Sequence, residues 1–123
     1  MNQRIILIAA TFFGALAVGL GAFGAHAMKP MLETYGRLDT YELAVRYQFY
    51  HVMALLATGI LAEKFPALKT ASVLFIVGIL VFSGSLYTLA LTNQTGWGAV
   101  TPFGGVALIA GWLNFLWVFY KTR

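Results

Sequence analysis

The stretch Ile5–Met28, IILIAATFFGALAVGLGAFGAHAM, is a long apolar run bounded by Arg4 and Lys29. No Asp, Glu, Lys or Arg lies inside it. A helix rises about 1.5 Å per residue, so roughly 20 residues cross the ~30 Å hydrocarbon core of a bilayer. The run therefore predicts a membrane-spanning helix over residues 5–28. Because it is longer than the apolar core of a typical signal peptide, we expect it to remain in the protein.

Small residues recur along one face of this predicted helix. Gly14, Gly21 and Gly24 follow each other at helical spacing, and Gly104 and Gly111 do the same near the end of the chain. Small residues let another helix backbone approach closely, which is how helices associate in lipid. We therefore expect these five glycines to be helix-packing positions, and the glycine faces of the first and last helices to pack in the interior of a bundle.

The composition of the chain also indicates lipid as its solvent. Of the 123 residues, 60% are hydrophobic and only 10% are charged, whereas soluble domains carry about 25% charged residues. The basic residues stand singly at segment ends, so the net charge of +4 predicts no nucleic-acid partner. The absence of cysteine excludes disulfides and thiolate chemistry. With two histidines and acids confined to connectors, we expect neither a metal site nor a cofactor.

Further apolar stretches follow the first one and are separated by short polar connectors. They predict an all-α integral membrane four-helix bundle, a single domain over residues 1–123 with spans at about 5–28, 44–62, 70–92 and 102–120. Residues 29–39 are predicted to form a short interfacial connector in which Gly36 stops a brief amphipathic turn. Asp39, with Glu42 three residues later, has the spacing of a helix N-cap.

The distribution of basic residues predicts an orientation. In a four-span bundle one side carries five basic residues and the other side three, and the excess marks the cytoplasmic side. Both termini are therefore predicted to be cytoplasmic. The five are Arg4, Lys64, Lys69, Lys121 and Arg123, and the three are Lys29, Arg37 and Arg46. Tyrosines including Tyr35, Tyr41, Tyr47 and Tyr50 are predicted to form an aromatic belt on the far side.

Polar side chains inside the predicted spans define the candidate site. If the first two helices form an antiparallel hairpin, both histidines could lie at similar depth near the outer leaflet. The predicted polar pocket consists of His26, Tyr47, Gln48, His51, Ser85 and Tyr87. One interpretation is a pocket that handles protons or binds a solute. The interpretation that we favour is that these groups hydrogen-bond one another and hold the helices together.

Arg46 and the serines have similar alternatives. Arg46 is a candidate lipid-headgroup residue that would contact a phosphate, or a snorkelling anchor paired with Glu42 one turn earlier. Ser83 and Ser85 have no acidic partner within a span, so structural hydrogen bonds to the preceding turn explain them better than nucleophilic catalysis. No catalytic residue is predicted.

Four motifs in order resemble one protein family over nearly the whole chain. They are Gly21-Ala22-Phe23-Gly24-Ala25-His26, Arg46-Tyr47-Gln48-Phe49-Tyr50-His51, Phe82-Ser83-Gly84-Ser85-Leu86-Tyr87, and Thr101-Pro102-Phe103-Gly104-Gly105 with Gly111-Trp112. The chain resembles domain-of-unknown-function family 423, whose eukaryotic relatives are called transmembrane protein 256. The resemblance implies a small multi-span protein of the bacterial cytoplasmic (inner) membrane, and it implies no activity, substrate or catalytic residue.

These observations together predict a small, non-enzymatic membrane protein that acts through helix, partner or lipid contacts. The alternative is a small-solute or proton carrier that uses His26 and His51. Membrane lipid is the expected partner. Small-residue faces left over from packing could also pair two copies of the chain or bind another membrane protein.

Overall fold

The computed structural model describes residues 1–122, and this part of the chain is all helical, with no strand. The helices in order are α1 (Gln3–Ala25), α2 (Lys29–Tyr35), α3 (Leu38–Leu61), α4 (Lys69–Gly78), α5 (Gly84–Thr92) and α6 (Thr101–Lys121). A five-residue π-helix, Ile79–Ser83, joins α4 directly to α5, so that residues 69–92 form one continuous rod. Short 3₁₀ helices, Pro66–Leu68 and Thr95–Ala99, precede α4 and α6.

Three helical stretches among the described residues are long and apolar enough to cross a membrane. They are Gln3–Ala25, Pro66–Thr92 and Thr95–Lys121. The second predicted span, residues 44–62, lies within α3, which is 24 residues long but does not belong to this set. The physical reason is that Arg46, Gln48 and His51 lower the hydropathy of its first half.

α1 and α3 pack side by side in antiparallel directions along most of their length. At three of the contacts a glycine of α1 faces a side chain of α3, and the contacts run in reverse sequence order. The pairs are Gly24 with Tyr41, Gly21 with Val45, and Gly14 with Val52. At the other end the roles are reversed, because Gly59 of α3 faces Leu7 of α1. Close packing therefore extends over nearly the full length of α1.

α6 packs in the same antiparallel manner against the rod of residues 69–92. Gly104 lies against the backbone of Phe82, and a Cβ atom at this position would come within 2.7 Å of the Phe82 Cα. Gly111 lies against the ring of Phe75, where a Cβ atom would be 2.5 Å from Cε1. Both contacts require the absence of a side chain, because neither neighbour can retreat from the centre of the interface.

The glycine faces of α1 and α6 pack on different neighbours, with Gly24, Gly104 and Gly111 buried and Gly14 and Gly21 partly buried. Within residues 1–122 α1 packs mainly on α3, α6 packs mainly on the rod of residues 69–92, and α3 lies against both α1 and the rod. The physical reason is that Gln48 of α3 needs hydrogen-bond partners, which lie on α1 and on the rod. α3 therefore lies next to both of them, so each glycine face meets a different neighbour.

The connector after α1 is more ordered than a loop. α2 buries Leu32 completely against Tyr41 and Ala90, and Gly36 ends α2 with a left-handed backbone, φ 68°. α1 ends at Ala25, three residues before the predicted end of its span at residue 28. The predicted N-cap at Asp39 is wrong, because α3 already begins at Leu38. Asp39 instead lies in the first turn, where its carboxylate complements the positive end of the helix dipole.

We predict that Gly104→Ala destabilises the protein and that Gly105→Ala does not. The new methyl group at residue 104 would overlap backbone atoms of Phe82, whereas at residue 105 the nearest atom, Phe82 Cδ2, is 3.7 Å away. Overpacking of this kind costs about 1–3 kcal/mol. Both changes have the same effect on helix propensity, so the difference between the unfolding midpoints in detergent isolates the contact. Equal midpoints for the two variants would contradict close backbone packing at Gly104.

Candidate functional site

Gln48 is a buried polar side chain that bonds to two other helices. It is 2% exposed and projects from α3 towards α1 and α5. Its Nε2 donates to the Phe13 carbonyl at 2.9 Å, and its Oε1 accepts from the Tyr87 hydroxyl at 2.7 Å. A single amide group therefore joins three helices. In hydrocarbon an unpaired amide would be costly, so these bonds hold the three helices in one register.

His51 lies about one turn further along α3 and faces a different neighbour. The Trp112 indole Nε1 of α6 donates to His51 Nε2 at 3.0 Å. An indole N–H can only donate, so His51 Nε2 must be the acceptor and the proton of the neutral ring lies on Nδ1. Nδ1 is 2.7 Å from the Tyr47 carbonyl, to which it donates. Both ring nitrogens are thus used, and the imidazole joins α3 to α6.

Three hydroxyl groups make further contacts between elements. Ser83 Oγ, in the π-helix, donates to the Ala44 carbonyl of α3 at 2.8 Å. Ser85 Oγ is 2.6 Å from the hydroxyl oxygen of Thr101, at the start of α6. The Tyr41 hydroxyl donates to the Leu20 carbonyl of α1. Tyr41 is 1% exposed, so its predicted place in the aromatic belt is wrong: its ring packs over Gly24 in the interior.

The structure separates the residues of the predicted polar pocket. Gln48 and Tyr87 form one pair, His51 pairs with Trp112, and Ser85 pairs with Thr101. Tyr47 is partly exposed, with its ring against Phe82 and its carbonyl bonded to His51. The residues of the predicted polar pocket therefore form separate hydrogen-bonded groups, and each group contacts a particular neighbouring helix.

His26 does not join any of these groups. It follows the last residue of α1 and is exposed on the outer surface of that helix, beside Ala22 and Phe23. Since Gly14 is the α1 residue that faces Val52, the neighbour of His51, the two histidines differ in depth by roughly 18 Å at 1.5 Å per residue. The prediction that the two histidines lie at similar depth is therefore wrong. α1 and α3 contact each other along nearly the whole length of α1, and this alignment places His51 opposite the middle of α1.

A small cleft of about 130 Å³ adjoins Gln48 between α1 and the π-helix. Its walls are mostly apolar side chains, among them Leu16, Ile79 and Leu80. The polar atoms of Gln48 and Tyr87 at this cleft are bonded to each other or to the α1 backbone. This arrangement suits a packing defect between rods better than a path for a polar solute.

A larger groove, of about 280 Å³, lies between α1 and the first turns of α3. We call it the α1–α3 groove, and it is lined by Gly21, Gly24, Ala25, Tyr41, Glu42, Val45 and Arg46. Arg46 Nη1 is 4.0 Å from Glu42 Oε2, and these two side chains are 50% and 52% exposed. The predicted Glu42–Arg46 ion pair is thus present at the limit of contact, and most N–H groups of the guanidinium face outwards from this pair.

Among residues 1–122, no group of three or more His, Asp or Glu side chains lies close enough to hold a metal ion. The acidic residues Glu33 and Glu42 are each paired with a basic residue one turn away on the same helix. These two carboxylates are therefore paired locally and are not gathered at a common site.

Two residues of the site have roles that the sequence did not predict. Trp112 belongs to the family motif but has no predicted partner, and Tyr41 is predicted to lie in the aromatic belt. The signal for Trp112 is its single indole donor on a helix face that also carries Leu108 and Gly111. For Tyr41 the signal is its position opposite Gly24, and this becomes visible only once the register of α1 and α3 is known.

We predict that His51 is a neutral Nδ1–H tautomer and that Trp112→Phe lowers the free energy of unfolding. Removing the indole donor leaves His51 Nε2 unpaired, and interhelical hydrogen bonds of this kind contribute about 0.6–1.7 kcal/mol. ¹⁵N NMR of histidine-labelled protein should assign the proton to Nδ1 of His51, and the Nε2 shift should move in the variant.

Trp117→Phe provides the matched control, because Trp117 lies on the same helix and is 58% exposed. This change should leave both the His51 spectrum and the unfolding midpoint as in the parent protein. An Nε2–H tautomer in the parent protein would contradict the bond from Trp112.

Comparison with known proteins shows the family of the chain. The profile of the family described as "Protein of unknown function (DUF423)" matches residues 20–105. The UPF0382 membrane protein YwdK of Bacillus subtilis is 40% identical over 115 residues, covering 90% of this chain and 92% of the relative. The UPF0382 inner membrane protein YgdD of Escherichia coli K12 is 37% identical over 120 residues, covering 94% and 89%.

No solved structure matches the chain. The family profile covers the segment from the second half of α1 to the start of α6, which contains Gln48, His51, Ser85 and the α1–α3 groove. The relatives extend the similarity to most of both chains. The chain is therefore a membrane protein that belongs to the DUF423 family.

Proposed function

We propose that this chain is a non-enzymatic, four-span protein of the bacterial inner membrane whose function is to hold a phospholipid at its non-cytoplasmic end. The observation that carries the proposal is the α1–α3 groove, which combines a floor of small residues with a guanidinium at its rim. Gln48, Ser83 and His51 support a structural role, because they are engaged in bonds between helices.

The case for four spans rests on the register of α1 and α3. Contacts from Gly24 with Tyr41 to Gly59 with Leu7 extend along nearly all of α1. If α1 crosses the bilayer, α3 must cross beside it, since two antiparallel helices in contact along their length share the same depth. The buried Gln48 and His51 then face protein and not lipid, which explains how α3 tolerates them.

The charges at the helix ends support cytoplasmic termini. Arg4, Lys64, Lys69 and Lys121 lie at the end of the helices that carries the N-terminus. The opposite end carries Lys29, Arg37 and Arg46, of which Arg37 donates to the Asn93 side chain at 3.0 Å and Lys29 pairs with Glu33. Basic residues are enriched on the cytoplasmic side of membrane proteins, so we place both termini there.

Cysteine labelling tests this topology, because the natural chain contains no cysteine. We expect Gln94→Cys to react with a membrane-impermeant maleimide on intact spheroplasts, and Ala67→Cys to react only after permeabilisation. Both positions are exposed and lie in connectors at opposite ends of the rods. The reverse labelling pattern would contradict the orientation, and labelling of both positions from one side would contradict the number of spans.

The lipid proposal is tested by changing the groove and its rim separately. In native mass spectrometry with dioleoyl phospholipids, Arg46→Gln should retain roughly tenfold less lipid, because it removes the charge-assisted hydrogen bonds to the phosphate. Ala25→Leu should fill the groove and produce a similar loss while leaving Arg46 in place.

Two matched variants control for altered charge and bulk. Lys29→Gln removes one basic residue from the same end of the molecule but not from the groove, and Ala22→Leu adds the same bulk on the outer surface of α1. Both should retain lipid as the parent protein does. A parent protein that retains no more lipid than the Ala25→Leu variant would contradict the proposal.

A further inference from the structure

We propose that the α1–α3 groove selects a zwitterionic phospholipid with a primary ammonium group, whose phosphate binds Arg46 and whose ammonium binds Glu42. This inference rests on the proposed lipid-binding function and names its ligand class. It follows from three features of the groove: its depth, the order of its charges and the shape of its floor.

Arg46 lies close enough to the end of α1 to reach a phospholipid phosphate. The preceding residue, Val45, faces Gly21 of α1, which lies four residues before the end of that helix at Ala25. The backbone of Arg46 is therefore roughly 6 Å inside the end of α1 at 1.5 Å per residue. α1 has 23 residues and is about 34 Å long, so its end lies near the inner edge of the headgroup layer, and the long side chain of Arg46 can carry the guanidinium outwards to the phosphates. Glu42 lies one turn nearer to the solvent on the same side of α3.

The order of the two charges complements one headgroup class. The anionic phosphate of a phospholipid lies deeper than the group esterified to it, and in an ethanolamine headgroup that outer group is a primary ammonium. Arg46 is the deeper residue and Glu42 the shallower one, so cation meets anion at both levels. An Arg–phosphate contact can be bidentate, and a primary ammonium has three N–H donors, of which one or two can bond to a carboxylate.

The loose contact between Arg46 and Glu42 leaves both side chains able to bind a headgroup. Arg46 Nη1 and Glu42 Oε2 are 4.0 Å apart, with both side chains about half exposed. An isolated pair of this kind contributes little to stability, because solvent screens it. With phosphate and ammonium inserted beside them, four charges alternate in sign, and each side chain gains a partner without losing the other.

Headgroups without a primary ammonium group fit the groove less well. A glycerol headgroup would place its phosphate beside Arg46 but would offer Glu42 only hydroxyl groups, and its net negative charge would face the carboxylate. A choline headgroup carries a cation, but its quaternary nitrogen has no N–H to donate. The expected order of retention is therefore ethanolamine first, choline second and glycerol third.

The floor of the groove leaves room for the headgroup. Gly21 and Ala25 present no side chain beyond a methyl group, while the ring of Tyr41 closes the groove over Gly24. Val45 provides an apolar wall on the α3 side. A headgroup lying between Arg46 and Glu42 would rest on this floor, and it would leave the interior packing of α1 on α3 undisturbed.

The chain contains an internal comparison for the charged pair. Lys29 and Glu33 on α2 have the same four-residue spacing, a separation of 3.9 Å and side-chain exposures of 53% and 55%. This pair belongs to the same end of the molecule but does not line the α1–α3 groove. The Lys29–Glu33 pair therefore has similar charges and exposure but does not lie beside the floor of the groove. Substitutions in this pair report non-specific electrostatic effects.

The test is a competition in native mass spectrometry between dioleoylphosphatidylethanolamine, dioleoylphosphatidylcholine and dioleoylphosphatidylglycerol at equal concentration. The parent protein should retain the ethanolamine lipid over the glycerol lipid by roughly fivefold, the upper range for an exposed ion pair. Glu42→Gln should reduce this ratio to about one by lowering retention of the ethanolamine lipid while the glycerol lipid is still retained, whereas Arg46→Gln should retain roughly tenfold less of all three lipids. Glu33→Gln should keep the ratio of the parent protein.

The outcomes separate this inference from the function on which it rests. Specific retention of lipid with no preference for ethanolamine, or a preference unchanged by Glu42→Gln, overturns the headgroup assignment and leaves the lipid site standing. Retention by the parent protein that does not exceed that of Ala25→Leu overturns both. Unfolding midpoints measured without added lipid verify that Glu42→Gln is folded, which is expected because Glu42 is exposed.

Discussion

The hydrogen-bonding requirement of α3 is the constraint on which the rest of the structure depends. Gln48 and His51 lie on the helix with the lowest hydropathy, and hydrocarbon offers no partner for either of them. Their partners are the Phe13 carbonyl on α1, the Tyr87 hydroxyl on α5 and the Trp112 indole on α6. Because these partners surround α3, it takes a place at the centre of the assembly, and its neighbours provide the apolar surfaces that face outwards.

Glycine makes that central position possible. Tyr41 and Val52 of α3 fill the space left by Gly24 and Gly14 of α1, so the two backbones approach over many residues. In α6, Gly104 permits contact with the Phe82 backbone, at the π-helix where the rod of residues 69–92 changes its pitch. π-helical turns often occur at positions with special packing or function. Here Ser83, in the same turn, bonds to the Ala44 carbonyl and links the rod to α3.

The α1–α3 groove is a consequence of the same packing. Gly21, Gly24 and Ala25 of α1 form its floor beside Tyr41 and Val45 of α3, and the charged residues of the first turns of α3 stand at its rim. In the proposed lipid complex Arg46 binds the phosphate, whereas Lys29 and Arg37, the other basic residues at that end, do not line the groove.

The sequence alone determined the solvent, the helical class and the element boundaries to within a few residues. These properties follow from local composition: long apolar runs, charged or proline-containing connectors, and glycine at residue 36 to end α2. The small faces of α1 and α6 could also be recognised, because helical periodicity decides which residues share a face. The set Gln48, His51, Ser85 and Tyr87 could be singled out as polar groups that need partners in lipid.

The tertiary structure decided which partner each of these groups has. Periodicity defines a face but says nothing about the neighbour it meets, so the glycines of α1 and α6 proved to pack on different helices. The axial register of α1 and α3 is set by side-chain volumes on both helices together, such as Tyr41 over Gly24. That register places His26 at the exposed end of α1 and His51 beside Trp112, contacts between residues distant in sequence that no local pattern encodes.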